Sequence, residues 1–219
     1  YSDHFSVESN KYQLTRIELL PPHINYSKSI KGIYINGWVA SNQNKVNNLI
    51  NGIEKSKLNA VVIDLKDAAG RVTFKENKLK SSPVMIKNLK DLIKRFHRQG
   101  IYVIGRLALF KDPILAQQDD YALKYSVVNE NEIITSDQWT NPYSKRVWDY
   151  NLKIAQQASR LGLDEIQFDY VRFPTLSKNT KLIIKGNGKD SKADIIVDFL
   201  QYAKKSLDDY NILISADVF

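Results

Sequence analysis

The chain has 219 residues, 43% of them hydrophobic and 26% charged, with a formal net charge of +8 and no cysteine. That length suits one large domain with a substantial core or two small ones. It leaves no route to disulfides or thiolate chemistry, and no stretch approaches the ~18 consecutive apolar residues of a membrane span. The positive charge gathers near one predicted helix (Lys78, Lys80, Lys87, Lys90, Lys94, Arg95, Arg98) and in Asn- and Lys-rich loops. Without the aromatic interleaving of a single-strand groove it reads as solvated surface, so no nucleic-acid partner is expected.

Residues 1–29 are polar and irregular and read as a linker or extension, with one domain expected over 30–219. The chain opens on Tyr1 rather than Met, so an upstream segment, such as an export signal, is expected to have been removed. A short strand, KGIYING (31–37), is followed by Val46, Leu49, Ile50 and Ile53 at helical spacing. NAVVIDLKD (59–67) is a second strand that runs into the turn DAAG. Ile86, Leu89, Leu92, Ile93 and Phe96 mark a second amphipathic helix, ended by Gly100. IYVIGRLALF (101–110) is a third strand, after which the chain makes a long excursion to about Tyr143, with a hairpin in SVVNENEIIT. Val147, Tyr150, Ile154, Ala158 and Leu161 form a third helix, and DEIQFDYVRFPT (164–175) is strand four. A fourth helix carries Ile195, Ile196, Phe199, Leu200, Ala203 and Leu207, and NILISADVF (211–219) is strand five.

Strand and helix in alternation imply a parallel sheet, either an open doubly wound sheet or a (β/α) barrel. No G-x-G-x-x-G follows the first strand and no P-loop occurs, which disfavours the nucleotide-binding folds. Period-two alternation then sorts each strand into two faces. One stays apolar and suits helix packing. The other sends Asn36, Asp64 and Lys66, Arg106, Gln167 and Asp169, and Asp217 towards the C-terminal strand ends, where parallel α/β folds build their active sites. For Asp64, Asp67 or Arg106 taken singly, a structural ion pair is an equal reading. For Asp169 and Asp217 together, function is the stronger one.

The motifs GIYINGW, VVIDLKDAAG, GRLALFKDP, WTNPYSKRVWDYN, DEIQFDYVRFP and ISADVF resemble a bacterial family of glycoside-hydrolase type. Its members are TIM barrels distantly related to the α-amylase-like and α-galactosidase-like clans. The resemblance runs from about Lys31 to Phe219 and implies an α/β, TIM (β/α)8-type barrel. A complete barrel has eight strands, so a chain with about five βα units that ends on strand five is expected to be an incomplete one, its C-terminal part missing.

The resemblance further implies hydrolysis of a bacterial cell-envelope or extracellular polysaccharide, and so an extracellular or envelope location. Glycoside cleavage uses two carboxyl groups, a nucleophile or base and a proton donor. Asp169 matches the nucleophile position of the related clans and Asp217 is the available partner. Gln167 can bond Asp169 or a sugar hydroxyl, and Arg106 and Arg172 are the cations placed to pair with Asp169. Tyr34, Trp38, Trp139 and Tyr170 suit sugar-stacking platforms, whereas Trp148, on a helix, reads as core. Asn36, Asp64, Lys66 and Asp67 complete the expected substrate contacts. The alternative is a non-catalytic glycan-binding module on a degenerate barrel. No cofactor or metal is expected. His4, His23 and His97 lack ligand spacing, and Lys66 separates Asp64 from Asp67.

Overall fold

A computed structural model describes residues 29–75, 84–127, 133–183 and 191–218. Most of the expected linker, His4, His23, Lys78, Lys80 and Phe219 lie outside them. The elements in order are β1 (Gly32–Ile35), α1 (Gly37–Ala40), α2 (Gln43–Glu54), β2 (Ala60–Lys66), α3 (Leu89–His97), β3 (Tyr102–Ala108), β4 (Ala122–Val127), β5 (Ile133–Thr140), α4 (Lys145–Ser159), β6 (Glu165–Asp169), β7 (Thr180–Leu182), α5 (Lys192–Leu207) and β8 (Leu213–Ala216).

Five strands form one parallel sheet in the order β1-β2-β3-β6-β8. These are the five predicted strands, in chain order, each beside the next. Among the described residues the sheet is open, with β1 and β8 at its edges. Its helix-facing side carries Val61, Ile63 and Leu65, Val103 and Leu107, and Ile166 and Phe168, all fully buried. They join Val46 and Ile53 of α2, Ile93 and Phe96 of α3, Leu152 and Ala155 of α4, and Phe199 and Ala203 of α5 in a single core. Every strand residue on this side removes apolar area from water at about 25 cal/mol per Å², the largest favourable term holding the layers together.

Helix starts are set by short polar side chains. Asn42 accepts the Lys45 N–H, Asn88 the Asp91 N–H, and Ser191 with Asp194 closes a reciprocal capping box. Each such cap contributes about 1 kcal/mol. The Asn88 cap also moves one expected boundary. Ile86, grouped by spacing with α3, lies before it and instead takes its place beside Phe74 in an isolated parallel bridge.

The long excursion after β3 is more structured than a single hairpin. β4 and β5 pair antiparallel, and β7, from the segment after β6, adds to the other side of β4. Segments that follow two different sheet strands are thus joined in one small sheet. No helix among the described residues is long and apolar enough to cross a membrane.

Candidate active site

The second side of the parallel sheet carries an apolar patch and, beyond it, polar groups. Ala60, Tyr102 and Ile104 form a separate apolar patch with Val62. Glu165 lies beside it, its two oxygens accepting the Tyr102 hydroxyl at 2.9 Å and the Ser215 hydroxyl. Glu165 shares a face with Gln167 and Asp169 by period-two counting, the signal by which it could have been found.

Towards the C-terminal strand ends one cation joins three strands. Arg106 on β3 donates from one terminal nitrogen to Asp64 Oδ1 at 2.6 Å. Through Nε and its other terminal nitrogen it donates to Asp169 Oδ2 at 2.9 and 2.5 Å. Asp64 is 1% exposed, and its second oxygen accepts the Tyr34 hydroxyl at 2.5 Å. Burial pushes the Asp64 carboxyl above the usual range, although the bonds from Tyr34 and Arg106 work against it. Burial together with the bond to Asp64 raises the Tyr34 phenol. Charge-assisted bonds of this kind, partly shielded from water, are the strong members of their class.

Asp169 ends β6, and Asp217 directly follows the neighbouring strand β8. The Asp217 N–H donates to Phe168 O at 2.9 Å, and Gln167 Nε2 donates to Asp217 Oδ1 at 3.4 Å. Asp169 Oδ1 accepts the N–H of Tyr170 at 2.6 Å. Burial, and then the negative charge of Asp169, raise the Asp217 pKa; Arg106 and Gln167 oppose the shift without cancelling it.

A cleft of about 290 Å³ opens beside Arg106, lined by Tyr34, Asn36, Trp38, Asp64 and Asp67 among others. Tyr34 and Trp38 are 52% and 59% exposed there. Asn36 caps α1, accepting the Val39 N–H at 3.0 Å. Asp67 lines the cleft, but both its oxygens serve the turn, accepting from the backbone of Ala69 and Arg71 and from the Arg71 side chain. Gly70 in that turn has φ +79°, and a Cβ there would collide with Asp112. Asp169 and Asp217 do not line this cleft; Arg106 connects the two regions.

Lys66, counted among the expected substrate contacts, lies instead in the helix layer. The ladder between β2 and β3 is irregular between Asp64, opposite Arg106, and Lys66, opposite Leu107. The irregularity turns Lys66 to the helix side, where it is fully buried. Its ammonium donates to Asp112 Oδ2 at 2.7 Å, Asn151 Oδ1 at 2.6 Å and Leu109 O at 3.3 Å.

On the opposite flank, Tyr170 meets Trp139 edge-on at 6.0 Å, and Arg172 lies over the Trp139 ring at 5.2 Å. Arg172 donates to Phe173 O at 3.4 Å. The cation paired with Asp169 is Arg106. Among the described residues no group of three or more His, Cys, Asp or Glu is placed to hold a metal ion.

A parallel α/β sheet with carboxylates gathered at its C-terminal edge is an arrangement on which TIM-barrel glycoside hydrolases, among other α/β enzymes, build their sites. Comparisons with known proteins agree. A family model described as "Putative glycosyl hydrolase domain" matches residues 32–219, and the chain belongs to that family. A hypothetical protein from Ruminiclostridium thermocellum ATCC 27405 is 32% identical and superposes with a TM-score of 0.71, over 85% of this chain and 97% of that one. A Family GH13_31 enzyme shares the fold at 14% identity and a TM-score of 0.52, over 78% of this chain and 42% of its own. An α-galactosidase from Geobacillus stearothermophilus does so at 14% identity and 0.51, over 85% and 28%. No match was found among curated proteins.

Proposed function

We propose that this protein hydrolyses a glycosidic bond in a bacterial cell-envelope or extracellular polysaccharide. Asp169 serves as nucleophile or base and Asp217 as proton donor. One observation carries this reading: two carboxyl groups sit side by side in opposite electrostatic settings. Asp169 has the Arg106 guanidinium as countercharge, whereas the Asp217 carboxyl is raised by burial and then by the like charge of Asp169. Environments that separate two neighbouring carboxyls in this way assign the acid and base roles of glycosidases. Gln167 orients Asp217, while Tyr34, Trp38 and Trp139 offer ring faces to sugars.

The test is turnover of a panel of cell-envelope and extracellular glycans by the purified protein. Asp217→Asn is expected to slow hydrolysis by about 10²–10⁴-fold and Asp169→Asn to abolish it. Activity that survives Asp169→Asn would overturn the assignment. The exposed aromatic pair Tyr34 and Trp38 also suits a second reading, a non-catalytic glycan-binding module, whose signature is saturable binding without turnover.

A further inference from the structure

We infer that Lys111 and Arg172, gathered around the Tyr170 ring, form a subsite for the acidic group of a charged glycan. This deepens the reading above and rests on the site being a carbohydrate site; what it adds is the substrate class.

The geometry begins with the backbone. Tyr170 follows Asp169 directly and has φ +54°, a left-handed conformation that costs a bulky residue on the order of 1–3 kcal/mol. The turn leaves the Tyr170 ring surrounded by cations. Lys111 Nζ is 5.2 Å from its centroid, and the guanidinium carbons of Arg106 and Arg172 are each 6.0 Å away. Trp139 extends the platform, with Arg172 stacked on it and Lys111 bridged to it through the backbone. Lys111, Trp139, Tyr170 and Arg172 are all half-buried.

Arg106 already has Asp64 and Asp169 as partners. Among the described residues no salt bridge engages Lys111. Cations brought to one ring repel one another, and an anion placed between them relieves that repulsion. A sugar carrying a carboxylate or phosphate fits both halves of the arrangement. Its ring packs on Tyr170 and Trp139, and its acid takes charge-assisted hydrogen bonds from Lys111 and Arg172. The net charge of +8 adds long-range attraction to a polyanion, and a test must separate that from the local site.

Binding of three polymers by calorimetry makes the separation: polygalacturonate, its fully methyl-esterified form and a phosphomannan. At least one charged polymer should bind about tenfold or more tighter than the esterified one. Which charged polymer it is identifies the acid as carboxylate or phosphate. The pair Lys111→Gln with Arg172→Gln should lose that preference. The pair Lys111→Arg with Arg172→Lys, which keeps the charges, should retain it, with folding of each checked by thermal melting. Lys90→Gln with Lys94→Gln, an equal charge change on the exposed face of α3, should also retain it. Equal binding of charged and esterified polymers, binding of none, or an equal loss in the α3 pair would overturn the inference. Hydrolysis of neutral glycans without an anion preference would sink this inference alone. An anion preference without turnover of any glycan would sink the hydrolase reading alone.

Discussion

Arg106 is the residue on which the site turns. A guanidinium offers its donors in a planar fork, and here the fork spans Asp64 on β2 and Asp169 on β6 from its own place on β3. Asp217 accepts a 3.4 Å bond from Gln167 and feels the charge that Arg106 balances on Asp169. Its folded pKa therefore lies above the ordinary 3.8. By linkage, the folded state holds this proton through a window above pH 3.8 in which the unfolded chain has released it. The stability it contributes is full below that window and fades as pH rises through it. A carboxyl-detected NMR titration should place the Asp217 midpoint above that of ordinary aspartates. Asp169→Asn should lower it, because removing the neighbouring negative charge removes one cause of the shift. A midpoint unmoved by Asp169→Asn would show that the two carboxyls do not communicate.

At the scale of elements, the irregularity in β2 has a structural consequence as large as its effect on the site. It hands Lys66 to the helix layer, where a lysine is tolerated only because Asp112 and Asn151 meet it. Desolvation lowers the Lys66 pKa, and Asp112 works in the other direction. The pair ties the end of β2 to α4 and to the segment after β3, and Asp112 also accepts the Leu115 N–H at 2.8 Å. Asp112→Ala strands a buried ammonium and should cost about 3–5 kcal/mol in urea unfolding. Replacing both partners with apolar residues, Lys66→Met with Asp112→Leu, should cost clearly less, since no charge is left buried alone. Equal losses in the two variants would mean that packing, not charge, dominates there.

Across the whole molecule, one aromatic cluster links parts of the chain that are far apart in sequence. Phe199 of α5 meets Phe168 of β6 at 5.4 Å, Phe110 after β3 at 5.6 Å and Trp148 of α4 at 5.8 Å, in edge-on geometries. Edge-to-face contacts add about 0.5–1.5 kcal/mol per pair beyond the area buried. Phe199→Ala should destabilise the fold by about 3–5 kcal/mol, read by urea unfolding, and flatten the near-ultraviolet dichroism of the aromatic core. A loss under about 1 kcal/mol would show that the layers are held elsewhere.

What the sequence determined by itself was whatever depends on local periodicity. Two-residue alternation put Asp64, Arg106, Gln167, Asp169 and Asp217 on one side of four strand segments, and helical spacing marked the residues that cover the other side. Both patterns are short-range, because the pleat and the helical turn repeat within a few residues. Local counting failed where the repeat itself is broken or a cap intervenes, as at Lys66 after the β2 irregularity and Ile86 ahead of the Asn88 cap. It had no means of finding partners distant in the chain. The pairing of Tyr125 with Leu182 that seats β7 beside β4, the reach of Arg106 to both Asp64 and Asp169, and the meeting of Lys111 with Tyr170 were decided only by tertiary structure. Those contacts depend on how the sheet stacks its strands and on where the segments after β3 and β6 fold back, and no short window of sequence contains both ends of them.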